Sequence, residues 1–254
     1  MNLVQKAITV AGYYKTSLLR RLNPNYRKSF DYPEESQYWK YLLTHLETCP
    51  PELKADFLNR MNPNRPLQEP FTNLIRPLPE PWRILDVGCG PLSTVGLWVE
   101  NKKIELIGAD PLADEYTNSL KEAGIAPNCQ LVKTDCLDLV QRFSQGFSIT
   151  TSNNALDHAP EPLQIIRQMA MVTAPNGYVR LRHVENEGIR ERYHGLHQWN
   201  FSIKKGVPTL SDGSIVQALP DNLPELELVQ ATREKLETTY VIFLFRKKDN
   251  RSPR

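Results

Sequence analysis

The stretch Arg83-Ile-Leu-Asp-Val-Gly-Cys-Gly-Pro91 decides the fold class. Its first half reads as a short buried strand, and the Gly-Cys-Gly turn ends it. Glycines at 88 and 90 let the backbone turn tightly and approach a ligand with no Cβ in the way. Helical residues follow over Ser93 to Glu100, then a strand over Ile104 to Asp110 and a helix over Leu112 to Gly124, closed by glycine. The pattern continues with a strand at Cys129 to Asp135, a helix at Leu137 to Phe143 and a strand at Phe147 to Ser152. A helix at Pro160 to Thr173 and a strand at Gly177 to His183 complete it. Strand and helix alternate five times at short spacing, the signature of a parallel sheet covered on both faces.

Upstream, the first eighty residues read as helices between proline-rich breaks. Glu34 to Glu47 puts Tyr38, Tyr41, Leu42 and Leu46 near helical spacing, and Pro50-Pro51 stops it. Glu52 to Met61 reads as a second helix, and Arg65 to Trp82, with five prolines, as an extended linker. This front piece caps an active site, serves as a dimer surface, or merely packs. Downstream of His183 the alternation stops. Glu185 to Gln198 is polar, Phe201 to Gln217 reads as a hairpin, and Leu226 to Gln230 with Thr238 to Arg246 forms a closing antiparallel pair. The expected division is a helical cap over residues 1–80 and a sheet domain over 81–254, with an insertion at 185–217 on the substrate side.

Composition narrows the function classes. Among 254 residues, 40% hydrophobic and 24% charged is the balance of a soluble protein with a real core. Lys+Arg 31 against Asp+Glu 29 leaves +2, so bulk charge does not argue for nucleic acid. No apolar run approaches the roughly 18 residues of a membrane span. Met1 to Leu22 lacks the order of a signal peptide. Cys49, Cys89, Cys129 and Cys136 make no CxxC pair, which fits reduced thiols and a cytoplasmic location. The basic runs Lys15 to Lys28 and Arg246 to Arg254 read as solvated ends.

In a doubly wound sheet, ligands bind beyond the carboxyl ends of the strands. Asp110, ending the second strand beside the glycine loop, has the right place to accept both hydroxyls of a ribose. Asp135, ending the third, has the right place for an adenine edge. Leu92 and Ser93 follow the glycine pair with no third glycine, so a ligand with a ribose and no diphosphate suits the loop. This set of residues, Asp86-Val-Gly-Cys-Gly90, Gly108-Ala-Asp-Pro111 and Asp135-Cys136, resembles the motifs of class I S-adenosylmethionine-dependent methyltransferases. The resemblance covers about Pro81 to Val184 plus the closing strands, and departs at Leu92, where many relatives keep glycine. It implies an α/β, doubly wound, mainly parallel seven-stranded sheet with a reversed last strand. It also implies S-adenosylmethionine contacts at Asp86, Gly88, Cys89, Gly90, Asp110, Pro111, Asp135, Cys136 and Asn153.

Chemistry is expected after the fourth strand, in Ser152-Asn-Asn-Ala-Leu-Asp-His158. Relatives that methylate nucleic-acid bases carry an Asn/Asp-Pro-Pro-aromatic motif there, which is missing, so no nucleic-acid partner is expected. A hydroxyl must lose its proton as it attacks a methyl, and a histidine can take it. His158, beside Asp157, is the first candidate, with His183 and His197 in reserve; the alternative is a histidine that only packs the cap. Four of the five histidines lie between 158 and 197. His183 and Glu185 share a strand face, and His194 and His197 stand three apart. With Glu187, Tyr193 and Trp199 they suit a polar pocket for a sugar-like acceptor. Three readings of this stretch stay open: that pocket, a divalent metal such as Mg held by Asp157, His158 and Glu185, or a solvated loop. Asn154-Ala-Leu-Asp-His158 with Tyr193-His-Gly-Leu-His-Gln-Trp-Asn200 also resembles bacterial methyltransferases of polysaccharide and glycoside modification. The rivals are a non-catalytic cofactor-binding regulator, a C- or N-methyltransferase, and a nicotinamide enzyme, the last disfavoured by the absent third glycine.

Overall fold

The computed structural model describes residues 32–193 and 195–249. His194, the basic run Lys15 to Lys28, the start Met1 to Leu22 and the end of the basic C-terminal run lie outside the described residues. The described residues start with α1 (Tyr32–Thr44), α2 (Pro51–Met61) and the short α3 (Phe71–Ile75). Then come β1 (Arg83–Val87), β2 (Trp98–Val99), β3 (Lys102–Lys103), β4 (Glu105–Asp110), α4 (Ala113–Glu122) and β5 (Gln130–Lys133). The middle of the chain gives α5 (Leu139–Arg142), β6 (Phe147–Asn153), α6 (Pro162–Val172), β7 (Thr173–Val184) and α7 (Glu187–Arg190). β8 (Asn200–Lys204), β9 (Val207–Ser211), β10 (Val216–Ala218), α8 (Leu219–Asn222), β11 (Leu226–Lys235) and β12 (Thr239–Lys247) finish it.

The seven-stranded sheet runs β11-β12-β7-β6-β1-β4-β5. β1 pairs in parallel with both β4 and β6, and β12 lies antiparallel to β7 and β11. The expected α/β doubly wound sheet with a reversed last strand is therefore present. After β5 the chain crosses back to the other side of β1, so strand order reverses between β1 and β6. Clefts form at such switch points because the following loops diverge. β1 is buried from Ile84 on and β6 along almost its whole length, as a sheet covered on both faces requires.

Three local expectations are corrected. Residues 93–100 form no helix: Leu97 N–H donates to the Arg65 carbonyl, Leu67 N–H to the Trp98 carbonyl and Gly96 N–H to Gln68 Oε1. The backbone groups a helix would pair with itself are taken by the linker running alongside, and a Cβ at Gly96 would lie 1.9 Å from the Pro66 carbonyl oxygen. That linker is not purely extended, since α3 buries Phe71 and Ile75 against Ile84 and Ile149. Along α1 the inward face is Trp39, Leu42 and Leu43, continued by Leu46 in the turn that follows, packed with Phe57, Leu92 and Leu120. Tyr38 and Tyr41 are 56% and 62% exposed, because the i, i+3, i+4, i+7 stripe starting at Trp39 is the more apolar one.

The three strands β8, β9 and β10 form a separate small sheet where a hairpin was expected. Phe201 anchors it, fully buried between His183 and Phe243.

Candidate functional site

The switch point brings two loops together. The first is the turn after β1, where Gly88 and Gly90 adopt φ of +69° and +63°. This left-handed backbone disfavours any residue with a Cβ. A Cβ on Gly88 would come within 2.5 Å of the Ala155 Cβ. Ala155 opens the tight turn Leu156–His158 after β6, so the glycine loop and the turn carrying Asp157 and His158 touch.

The glycine loop is held from below. Asp86 is 2% exposed; its Oδ2 accepts from Ser93 Oγ at 2.6 Å, while Oδ1 has no hydrogen-bond partner. Burial raises its pKa to about 6, against the Ser93 hydrogen bond, which lowers it. Asp110 accepts from Gly90 N–H at 3.1 Å and Leu112 N–H at 2.9 Å. Burial pushes it to about 7; the Leu112 N–H opposes this and the Glu35 carboxylate adds to it. Each Asp110 oxygen keeps a lone pair for an outside donor, as binding a ribose requires. Asp135 is exposed, its Oδ1 taken by Leu137 N–H, and Cys136 is buried with its thiol pushed up by burial. Cys89 is buried and donates to the Gly90 carbonyl. Pro111 lies half-buried beside Asp110, whereas Asn153 accepts from Arg182 Nη1 at 3.2 Å. The backbone that excludes a Cβ and the unpartnered Asp86 oxygen fit the amino-acid end of S-adenosylmethionine, and Asp110 fits its ribose.

Residues that the sequence reading did not single out cover this loop. The Trp39 ring stands 3.7 Å from a Cβ built on Gly90. Glu35 Oε1 accepts from Trp39 Nε1 at 3.5 Å and Tyr116 Oη at 3.4 Å. The signal in the sequence was the stripe through Trp39.

The second loop gathers residues far apart in the chain. Asp157, 1% exposed, faces His197 Nδ1 at 2.9 Å and His158 Nε2 at 3.3 Å through the same Oδ2. The two histidine nitrogens are 3.0 Å apart. Burial alone would raise Asp157, but His158 and His197 outweigh it and hold the carboxyl low. Burial acts to lower His197, and its hydrogen bond to Asp157 prevails, so its pKa is raised. Gln198 N–H donates to the Asp157 carbonyl and Trp199 Nε1 to the Ala159 carbonyl, both at 2.9 Å, which fasten the two chain segments together. Glu187 is 7% exposed, with Oε1 3.9 Å from His197 Nδ1; burial, then Asp157, raise it to about 7.

Other candidates turn elsewhere. His183 is fully buried and stacked on Phe201 at 4.0 Å, its ring nitrogens without hydrogen-bond partners, and burial lowers it to about 4. Glu185 pairs with Arg233 at 2.6 Å and does not join Asp157 and His158; Glu187 is the carboxylate nearest them. Tyr193 Oη accepts from Asn200 Nδ2 at 2.9 Å, and Trp199 packs partly against the main core.

Residues 80–230 match the family model described as a methyltransferase domain. No curated protein matches the chain. Among solved structures, the chain is similar to the N-methyltransferase NodS from Bradyrhizobium japonicum WM9 in complex with S-adenosyl-L-homocysteine. The identity is 14% over 84% of this chain and 98% of that one, with a TM-score of 0.49. It is also similar to a SAM-dependent methyltransferase from Methanosarcina mazei, 16% identical over 72% of this chain and 99% of that one, TM-score 0.46. A third, an S-adenosylmethionine-dependent methyltransferase from Clostridium acetobutylicum, is 11% identical over 66% and 84%, TM-score 0.42.

Proposed function

The chain belongs to the methyltransferase domain family, and on that premise we propose that it moves the methyl group of S-adenosylmethionine onto a hydroxyl of a sugar or similarly polar small molecule. Bound S-adenosylmethionine supplies an electrophilic methyl on a positively charged sulfur. Gly88 and Gly90 receive the amino-acid end of the donor, Asp86 stands beneath it, and Asp110 accepts from the ribose hydroxyls. The observation that carries the reading is the contact of Gly88 with Ala155, two residues before Asp157. It supports a reading in which the Asp157–His158–His197 cluster lies beside the end of the cofactor that carries the methyl.

In the proposed step an oxygen–carbon bond forms as the sulfur–carbon bond breaks, and the hydroxyl proton leaves to the cluster. His158, part-exposed and standing in the turn directly after β6, is the member assigned as base, with Asp157 and His197 holding it in place. Alignment of the hydroxyl with the methyl is expected to supply much of the rate. Glu187 edges the same region and suits a hydroxyl-rich acceptor. The helical front piece acts here as a lid, because Trp39 covers Gly90. A cytoplasmic location belongs to the same proposal, resting on four cysteines without paired spacing. No helix among the described residues is long and apolar enough to cross a membrane.

Calorimetric titration with S-adenosylmethionine and S-adenosylhomocysteine, followed by transfer of labelled methyl to a panel of glycosides, tests the proposal. Binding with methyl appearing on oxygen upholds it. Binding with methyl appearing only on nitrogen or carbon of other acceptors removes the hydroxyl assignment.

A further inference from the structure

Asp157 Oδ2, His158 Nε2 and His197 Nδ1 form a nearly equilateral triangle with edges of 2.9, 3.0 and 3.3 Å. Hydrogen bonds can fill it when both histidine nitrogens are protonated and donate to the one oxygen, Asp157 Oδ2, but no pattern places a hydrogen on all three edges. Each histidine nitrogen carries at most one hydrogen. With both protonated, the two N–H groups lie side by side on nitrogens 3.0 Å apart and crowd onto one oxygen; with one protonated and Asp157 ionised, a lone pair still faces another lone pair. With neither protonated, three lone pairs converge on one spot. The second oxygen of Asp157 is buried with no partner, so the carboxylate is not satisfied from its other side.

One cation satisfies all three atoms. The corners lie about 1.8 Å from the centre of the triangle, so an ion at the ordinary 2.0–2.2 Å from each would stand about 1 Å off their plane. The angles at the ion would be roughly 90–105°, those of three adjacent octahedral positions, which leaves the opposite face open. Among the described residues this is the one group of three His, Cys, Asp or Glu so placed. His158 and His197 are part-exposed, with side chains 26% and 30% accessible, which gives an ion a way in.

We propose that Asp157, His158 and His197 bind a divalent first-row transition metal ion whose open positions chelate two adjacent oxygens of the acceptor. The donor set decides the ion class: two imidazoles suit Zn2+, Fe2+ or Co2+, whereas Mg2+ favours all-oxygen surroundings. The acceptor class follows, since two neighbouring open positions select a vicinal diol or hydroxy acid over a lone alcohol. An oxygen held by the ion also loses its proton more readily; with the ion bound, His158 serves as its ligand and the proton leaves to solvent, so the histidine acts as base only in the ion-free cluster. What the ion does there rests on the proposed methyl transfer; that it binds does not.

The test uses the full-length, untagged chain stripped with chelator and titrated with Co2+ or Zn2+ alone, without S-adenosylmethionine. Uptake is read by calorimetry and by the visible absorption of bound Co2+. The expected result is one ion per chain, with affinity falling by at least about tenfold in each of Asp157→Asn, His158→Ala and His197→Ala. His45→Ala, on the exposed end of α1, should bind as the parent does. Thermal unfolding of each variant checks that it is folded. A folded parent that takes up neither ion overturns the proposal, as does binding that survives His197→Ala unchanged. If ion uptake holds but S-adenosylmethionine fails to bind, the site stands and the methyl-transfer reading falls. Where both ion and donor bind, stripping the ion should abolish the preference for vicinal diols over simple alcohols; turnover unaffected by stripping overturns the link to the acceptor.

Discussion

The two sides of the cleft are built in different ways. The proposed cofactor side, after β1, β4 and β5, takes its residues from the ends of neighbouring strands, each within a few positions of a glycine or a turn. The proposed acceptor side joins Asp157 and His158 to His197, about forty residues on, and to Glu187. A short motif encodes the first side, while a separate small sheet, pinned by Phe201, delivers the second. Damage to the cofactor side should therefore show in donor affinity, and damage to the acceptor side in turnover.

Gly88→Val is expected to break both sides at once. A Cβ already collides with Ala155 and the backbone is left-handed, so donor binding and turnover should both vanish in calorimetry and assay. Survival of either would show that the loops are not coupled. His158→Ala should lower kcat by about 10²- to 10⁴-fold with the donor Kd within a few-fold of the parent. A kcat close to the parent's would remove His158 from the reacting groups. Asp110→Ala should weaken donor binding by about 100-fold, the loss of charge-assisted bonds to two hydroxyls, and leave kcat at saturation within a few-fold. An equal fall in kcat would blur the division.

The same carboxylate predicts a pH effect. Asp110 sits near pH 7 in the fold against 3.8 as its ordinary value. Between those values the folded chain keeps a proton that the unfolded chain has lost, so this group's contribution to stability falls as pH rises through the window. Donor binding needs the charged form, so the apparent Kd should loosen by about tenfold per pH unit below 7, and Asp110→Asn should flatten that slope. A parent profile flat from pH 5 to 8 would count against Asp110 as the ribose acceptor. The smallest effect is expected from Trp39→Ala. Opening the lid should weaken donor binding several-fold without moving ion uptake, and an unchanged Kd would make α1 packing alone.

Much of this division was legible in the sequence. Alternation of strands and helices, the glycine pair and the acids at strand ends are local, because strand burial and turn geometry depend on near neighbours. The reading failed at residues 93–100, where helical propensity lost to the linker's hydrogen bonds, and at α1 it grouped the exposed Tyr38 and Tyr41 with the inward Leu42 and Leu46 and passed over Trp39. It failed to separate Glu185 from Glu187, since alternation after a strand end breaks once Asn186 turns left-handed at φ +57°.

By itself, then, the sequence determined the sheet, its reversed last strand and the acids at the strand ends beside the glycine turn, since periodicity and short motifs act over a few residues. Only the tertiary structure decided that Asp157, His158 and His197 point three polar atoms at one spot, that Glu185 turns to Arg233, and that Trp39 covers Gly90. Those choices depend on how an inserted sheet and a front helix dock on the sheet's edge. Contacts across forty or more residues are settled by packing rather than by pattern.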